Sequence, residues 1–318
     1  MAIPENAPSR REFLKAGVSS AAAAAVTLSV PMGSAQTGAL IQKKIPSSGE
    51  SLPIIGIGTA RRYDVPPDAP QRAEIKEVLR QFASAGGRVI DTAPAYPPYG
   101  AAEEVVGTLT ADLGIRKPLF LATKVNARGR EAGIQQLQKS MERLRTTQID
   151  LVAVHNLTDT ATQLATLREW KDAGKIRYVG LTTSSEAQYT EFERMMKAEK
   201  LDFIQVDYAL DVRRAAERIL PLAAERGMAV MTNLPFGRGR LFQAVQSQKL
   251  PEWAAEIDCT TWAQVFLKYL VSHPAVTVAI PGTAQVKYVA DNLGAARGRL
   301  ADAPMRKRME SFIDSVKA

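Results

Sequence analysis

The sequence predicts a single-domain α/β protein built as a (β/α)8 barrel. Eight short runs rich in Val, Ile, Leu and Ala recur through the 318-residue chain, as expected for strands that are buried on both faces. Amphipathic helical patterns separate these runs. Glycines directly follow several of the helical patterns, where a left-handed C-cap favours them. Eight strands that alternate with helices in this way are typical of the barrel.

The predicted elements follow one another with no linker that would divide the chain. A lead over residues 39–53 suits a hairpin. The strands then cover residues 54–58, 88–91, 119–124, 149–155, 176–182, 203–207, 229–233 and 277–280. The helices cover residues 71–85, 101–113, 131–144, 161–173, 186–198, 214–226 and 260–272, followed by 285–295 and 304–316.

A doubly wound Rossmann sheet is the alternative fold for such an alternation. Its fingerprint needs a glycine-rich turn that opens a helix, and Gly56-Ile57-Gly58 is the only candidate in the chain. Pro66 and Pro67 follow this turn closely, so a helix cannot open at the required place. We therefore predict the barrel.

Charge and the rare residue types exclude several functional classes. The chain carries 41 Lys and Arg against 33 Asp and Glu, a net charge of +8, with two His and one Cys. One cysteine, Cys259, cannot form an internal disulfide, and so few His and Cys residues exclude most zinc sites. We predict no metal site. The basic residues are dispersed, with dense runs only at 297–299 and 306–308, so nucleic-acid binding is not expected.

The first 35 residues have the pattern of an export signal. Residues 9–15 read S-R-R-E-F-L-K, an alanine-rich apolar run covers 16–30, and small residues follow. This pattern resembles the twin-arginine (Tat) signal peptide, with cleavage expected after Ala35 or, alternatively, after Ala39. The run is shorter than the about 20 apolar residues of a membrane span. We expect a barrel over residues 36–318, exported in folded form by the Tat machinery to the periplasm and not inserted in the membrane after cleavage.

Ionisable side chains stand where three neighbouring strands end. In a barrel the active site lies at the carboxyl ends of the strands. Asp91 ends the second predicted strand, Lys124 the third and His155 the fourth. Tyr96 follows in the proline-rich loop after Asp91. Each residue alone has an ordinary structural explanation, but their equivalent places on consecutive strands indicate one catalytic site.

The sequence around these residues resembles the aldo/keto reductase family. D-T-A-x-x-Y beginning at Asp91, followed by E-x-x-V-G beginning at Glu103, is similar to the family's signature D-T-A-x-x-Y…E-x-x-(V/L)-G. The A-T-K-V context of Lys124 and the D-L-V-A-V-H-N context of His155 resemble two further segments of the family. The resemblance extends over about residues 54–300.

The resemblance implies an enzyme that reduces an aldehyde or a ketone to an alcohol without a metal. It implies that Tyr96 is the general acid and that Lys124 stabilises the phenolate and lowers the tyrosine's pKa. Asp91 would hold the lysine charged and in position. His155 would orient the carbonyl oxygen of the substrate.

The resemblance also implies where the cofactor binds. The cofactor is expected to be NADP(H), with NAD(H) left open. The implied positions follow successive strands: Thr59, Thr182, Thr183, Gln205, Asn233, Phe236, Gly237, Arg238, Gly282, Thr283, Gln285 and Asn292. Three residues depart from the family's pattern. Thr183 replaces the asparagine of a Ser-Asn pair, Asn233 replaces a ring that stacks on the nicotinamide, and Tyr288 replaces an arginine, with Lys287 beside it.

These departures leave a second function open. The protein could be an exported module that binds or senses a nicotinamide cofactor with weak or no turnover. The expected destination favours this alternative, because free NADPH is not expected outside the cytoplasm. The complete set of four ionisable residues favours the reductase, whose expected partner is a small-molecule carbonyl substrate.

Overall fold

The computed structural model describes residues 38–94, 96 and 98–317. Within these ranges the chain forms ten β-strands and ten α-helices. The strands are β1 Gln42–Lys44, β2 Ser51–Pro53, β3 Ile57–Gly58, β4 Val89–Asp91, β5 Phe120–Val125, β6 Ile149–His155, β7 Ile176–Thr182, β8 Phe203–Asp207, β9 Ala229–Asn233 and β10 Val276–Ala279. The helices are α1 Gln71–Ser84, α2 Ala102–Asp112, α3 Arg130–Arg143, α4 Thr160–Asp172, α5 Tyr189–Ala198, α6 Ile219–Glu225, α7 Arg240–Ala244, α8 Trp262–Val271, α9 Lys287–Gly294 and α10 Ala303–Lys317.

Strands β3 to β10 form one parallel sheet that closes on itself as a barrel. Each strand pairs with the next strand of the chain, from β3 beside β4 to β9 beside β10. The ring closes where the amide of Gly56 donates to Ala279 O at 2.9 Å and the amide of Gly58 donates to Pro281 O at 3.0 Å. A Cβ atom on Gly58 would lie 2.8 Å from Ile280 O, so a glycine permits this approach. The predicted (β/α)8 barrel is confirmed.

Alternate residues of the strands point into the barrel and form an inner core. Phe120, Tyr178 and Phe203 lie within it, with ring centroids 5.5 to 5.8 Å apart. Ile45 and Leu52, which flank the turn of the β1–β2 hairpin, belong to the same core. The hairpin therefore covers the amino ends of the barrel strands. Burying each large apolar side chain contributes roughly 1.5–3 kcal/mol, so this end is closed by packing and leaves the carboxyl end for a site.

A second and larger core lies between the outer faces of the strands and the helices. Val152 and Leu181 of the strands pack there with helix residues such as Leu137, Leu167 and Phe192. The two cores use opposite faces of each strand, because successive side chains of a strand point in opposite directions. This alternation decides which residues at the strand ends face the interior of the barrel.

Most predicted bounds agree with the structure within one or two residues, and the larger differences have local causes. Strand β3 is shorter than predicted because the amide of Ile54 donates to Ile41 O, at the hairpin, and Ile55 makes only an isolated bridge to Ala279. The helix predicted over 214–226 is split, since Arg218 has φ −138° and α6 begins after it. Pro221 then lies in the first turn of α6, where its missing N–H costs no hydrogen bond.

None of the helices among the described residues is both long and apolar enough to cross a membrane. The predicted export signal and the cleavage position after Ala35 lie outside the described residues. The domain boundary between residues 35 and 36 therefore stays a prediction.

Candidate active site

The predicted ionisable residues lie at or near the carboxyl ends of three neighbouring strands, on the faces that point into the barrel. Asp91, Lys124 and His155 lie two or four residues after inner-core side chains of β4, β5 and β6. Because side chains alternate along a strand, these three point into the barrel at its carboxyl end. The sequence pattern and the fold therefore place them at one mouth.

Lys124 is the centre of this group. Its Nζ donates to both carboxylate oxygens of Asp91, at 2.8 and 2.7 Å, and to Thr92 O at 2.9 Å. It also lies 3.4 Å from the hydroxyl of Tyr96. The side chains of Lys124 and Asp91 are only 3% and 6% exposed, so water competes little with these contacts. The structure thus brings Asp91, Lys124 and Tyr96 together.

The charges of this group set the protonation of its members. Burial disfavours the charged form of Lys124 and by itself lowers its pKa. The attraction of Asp91 and Tyr96 is larger than this effect of burial, so the pKa of Lys124 lies above its ordinary value. Burial also disfavours the charged form of Tyr96, which raises the pKa of this tyrosine. The positive charge of Lys124 opposes the rise without cancelling it. At neutral pH the tyrosine therefore carries a proton beside a fixed positive charge.

His155 is neutral at the same mouth. Burial, reinforced by the charge of Lys124, lowers the pKa of His155 from 6.5 to about 4. A neutral imidazole carries one N–H donor and one acceptor nitrogen. His155 pairs with Thr182 in the register of β6 and β7, so its strand connects the ionisable group to the next strands of the ring.

A carboxylate that the sequence did not single out fixes the loop beyond Tyr96. Asp64, which follows β3 and is 5% exposed, accepts hydrogen bonds from the amides of Tyr99 at 2.8 Å and Ala101 at 2.7 Å. The amide of Gly100 bonds back to Tyr96 O at 2.8 Å. Asp64 thus ties the loop of the tyrosine to the chain after β3. An aspartate in a proline-rich loop gives no sequence signal of such a role.

A second buried carboxylate lies behind the site. Glu103 accepts hydrogen bonds from Thr123 Oγ1 at 2.6 Å and Ser140 Oγ at 3.1 Å, and it pairs with Arg143 at 3.3 Å. Burial raises the pKa of Glu103, and these donors oppose the rise. The residue joins α2, β5 and α3 directly behind Lys124, so its place in the sequence signature has a structural reason.

Hydrogen bonds join the predicted nicotinamide-binding side chains on β7 and β8 to Asp91. Thr182 Oγ1 donates to Gln205 Oε1 at 2.9 Å, and Gln205 Nε2 donates to Asp91 Oδ1 at 2.9 Å. Thr183 is not joined to this group, because its hydroxyl donates to Gln188 Oε1 at 2.6 Å. Gln205 therefore holds Asp91. The sequence does not predict this role, because it depends on which side chains of β8 and β4 meet inside the barrel.

Four buried polar atoms at the carboxyl ends of the strands have no hydrogen-bond partner among the described residues. They are Thr59 Oγ1, Thr92 Oγ1, Thr232 Oγ1 and Asn233 Oδ1. A buried polar group that lacks a partner costs roughly 1–3 kcal/mol, so such atoms mark a place for a polar ligand. Hydroxyls and an amide oxygen suit a ligand that offers both donors and acceptors, as a nicotinamide dinucleotide does. The residues at the mouth fit that cofactor.

The loop after β10 is fixed by side chains on both sides. Tyr63 is fully buried and its hydroxyl donates to Thr283 O at 3.0 Å. Asn292 Nδ2 donates to Thr283 Oγ1 at 2.9 Å. Loops after the last two strands of a barrel, followed by a short helix, often bind phosphate. Helix α9 begins at Lys287, directly after this loop.

The other predicted cofactor positions lie on two loops at the same end of the barrel. Gly282 and Gln285 are exposed on the loop after β10, and Lys287 lies 4.9 Å from the ring of Tyr288. On the loop after β9 the predicted residues are Phe236, half-buried, Gly237, buried with φ 55°, and Arg238, exposed with φ 57°. These loops offer backbone amides and cations rather than carboxylates, which suits a phosphate-bearing ligand.

Comparisons with known proteins agree with this geometry. The sequence profile of the Aldo/keto reductase family matches residues 54–313. Methylglyoxal reductase YeaE of Escherichia coli is 32% identical over 271 residues, covering 83% of this chain and 93% of that protein. Aldo-keto reductase yakc [NADP(+)] of Schizosaccharomyces pombe is 27% identical, covering 82% and 89%.

A solved structure shares the fold. An aldo-keto reductase from Klebsiella pneumoniae in complex with NADPH superposes with a TM-score of 0.72 at 26% identity, covering 86% of this chain and 96% of that chain. The buried Asp91–Lys124–Tyr96 group, the barrel that carries it and the family profile over most of the chain lead to one conclusion. This protein belongs to the aldo/keto reductase family.

Proposed function

We propose that this protein reduces an aldehyde or a ketone to an alcohol with NADPH. The observation that carries the proposal is the lysine at the barrel mouth. Lys124 contacts both oxygens of Asp91 and the hydroxyl of Tyr96, while the neutral His155 faces the same mouth. Two named relatives, the yeast protein and the Klebsiella protein, support NADPH as the cofactor.

Each of the four side chains has a definite task in this reaction. Bound NADPH supplies the hydride that the carbonyl carbon needs. Tyr96 donates its hydroxyl proton to the carbonyl oxygen. Lys124 stabilises the phenolate that is left, and Asp91 keeps the lysine charged and aimed at the tyrosine. His155 offers an N–H that holds the carbonyl oxygen near Tyr96.

Residues on the next strands would hold the cofactor. Thr182 and Asn233 are the last residues of β7 and β9, and Gln205 lies on the inward face of β8, where it contacts Asp91. The loops after β9 and β10 would hold the phosphates with backbone amides and with Arg238 and Lys287. NADH stays an alternative donor, because the chain lacks the arginine that the family usually has at position 288.

The proposal is tested by mixing the purified full-length protein with NADPH and a panel of aldehydes and ketones. Methylglyoxal heads the panel, since the E. coli relative is named for its reduction. The near-ultraviolet absorbance of NADPH should fall only when both protein and carbonyl compound are present. A protein that binds no nicotinamide dinucleotide would contradict the proposal.

The comparisons favour the reductase over a sensing module. The relatives are named as reductases, and the four catalytic side chains are all present at the mouth. Binding of NADPH without turnover of any compound in the panel would reverse this preference.

We further propose that the Tat route exports the folded protein to the periplasm. The proposal depends on the sequence alone: Arg10 and Arg11 precede the apolar run, and small residues end at Ala35. Fractionation of a bacterium with an active Tat system tests it. The wild type should be found in the periplasm in its shortened form, and the Arg10→Lys/Arg11→Lys variant should stay full-length in the cytoplasm. Export of that variant at the wild-type level would contradict the Tat route.

A further inference from the structure

An amide oxygen at the mouth of the barrel has no partner. Asn233 ends β9, and its Nδ2 donates to Thr183 O at 3.3 Å. This bond fixes which way the amide faces. Its Oδ1 is buried and accepts no hydrogen bond from any described residue. A buried acceptor without a partner is unfavourable, so we expect a ligand to bring a donor to this atom.

The missing donor has to come from inside the barrel. Ala229 and Met231 of β9 belong to the inner core, so the alternation of the strand directs Asn233 inward as well. The neighbouring polar groups do not supply the donor. Asp207, which lies opposite Asn233 in the register of β8 and β9, accepts a hydrogen bond from the hydroxyl of Tyr189 at 3.0 Å. Gln205 gives its amide hydrogens to Asp91 and to the sulfur of Met231, and the hydroxyl of Thr182 goes to Gln205.

Thr183 does not supply the donor either. Its hydroxyl contacts Gln188 Oε1 at 2.6 Å, and its carbonyl is the group that holds Asn233 Nδ2. Asn233 is therefore an oriented amide with a free acceptor. It stands on the strand next to β8, whose Gln205 touches the catalytic Asp91.

We propose that Asn233 recognises the carboxamide of bound NADPH by accepting a hydrogen bond from its NH2 group at Oδ1. This inference rests on the proposed function. The carboxamide is the only part of a nicotinamide ring that carries N–H donors. The nicotinamide ring would have to lie near Tyr96 and His155, because these residues hold the oxygen of the carbonyl group whose carbon receives the hydride. The ends of β7, β8 and β9 border that space.

Recognition of the carboxamide by Asn233 would explain two departures from the family's pattern, at positions 183 and 233. The resemblance leads one to expect an amide at position 183 and an aromatic ring at position 233. The chain has Thr183 and Asn233 instead, and these two residues are in direct contact. The amide side chain thus stands at position 233 instead of position 183. At residue 233, a hydrogen bond to the cofactor would replace the stacking of an aromatic ring.

Binding measurements without turnover test this inference. Dissociation constants for NADP+ and for 3-acetylpyridine adenine dinucleotide phosphate are measured by titration calorimetry on the full-length protein. The analogue carries an acetyl group in place of the carboxamide and so lacks the N–H donor. The wild type should prefer NADP+ by about tenfold, the effect of one hydrogen bond to an otherwise unpaired buried acceptor.

Asn233→Leu keeps the size of the side chain and removes the acceptor. We expect this variant to bind both compounds equally and to bind the analogue as the wild type does, which also shows that the site is folded. Asn126→Leu is the matched control. Asn126 directly follows β5, four strands away from β9 around the barrel, and its Oδ1 already accepts from Gln136 Nε2 at 2.7 Å, so the preference should not change.

The outcomes separate the inference from the proposed function. If the wild type binds neither compound, the reductase proposal itself fails. If the wild type binds both compounds equally, or if Asn233→Leu keeps the wild-type preference, the cofactor assignment stands and the role of Asn233 is wrong.

Discussion

Tyr96→Phe is expected to lower kcat/KM for carbonyl reduction by about 10²–10⁴-fold, the usual contribution of a positioned general acid. The change removes one oxygen atom and the proton that it donates. Stability should change little, because the hydroxyl makes only a long contact of 3.4 Å with Lys124. NADPH consumption measures the loss of turnover, and calorimetry should find that the variant binds NADPH as the wild type does.

Tyr99→Phe is the matched control for this loss. Tyr99 lies in the same loop, is 64% exposed, and uses its backbone amide rather than its hydroxyl to bond Asp64. Its activity should equal that of the wild type. If Tyr96→Phe retains more than about a tenth of the activity, the proton comes from another donor and the assignment of Tyr96 is wrong.

Lys124→Met is expected to remove activity and to destabilise the fold. The variant leaves Asp91 as a buried carboxylate without its cation, and breaking a buried ion pair in this way costs about 3–5 kcal/mol. Gln205 still donates to Asp91, but one amide hydrogen does not replace an ammonium that contacts both oxygens. Urea unfolding measures the free energy, and NADPH consumption measures the turnover.

The double variant Asp91→Asn/Lys124→Met separates the two effects. It removes both charges, and pairs of this kind can be replaced with little change in stability. We expect the free energy of unfolding to recover most of its loss while turnover stays absent, because nothing then stabilises the phenolate of Tyr96. Recovery of turnover together with stability would mean that Lys124 acts only by holding the fold.

The positions of the ionisable residues at the mouth of the barrel could be predicted from the sequence by one rule. Buried parallel strands are readable as apolar runs, and the residue that ends each run lies at the mouth of the barrel. Asp91, Lys124 and His155 each end such a run. Their inward direction was not predicted, because strands that are buried on both faces show no alternation of polar and apolar residues.

Contacts across the barrel could not be predicted in the same way. The bond from Gln205 to Asp91 joins β8 to β4 and depends on barrel geometry that no local pattern encodes. Asp64 bonds to a loop whose path is set by packing rather than by periodicity. Helix α7 and the turn at Glu252–Ile257 were missed because short helical turns have too few residues to give a periodic signal.

Transfer of deuterium to an aldehyde, from NADPH labelled at C4 of the nicotinamide ring, is the strictest test of carbonyl reduction by this protein. The full-length protein is incubated with labelled cofactor and substrate, and mass spectrometry locates the label in the alcohol. We expect the wild type to place one deuterium on the former carbonyl carbon, and we expect Tyr96→Phe to form this labelled alcohol far more slowly. Consumption of NADPH without label in the alcohol, or equal labelling by the variant, would contradict this expectation.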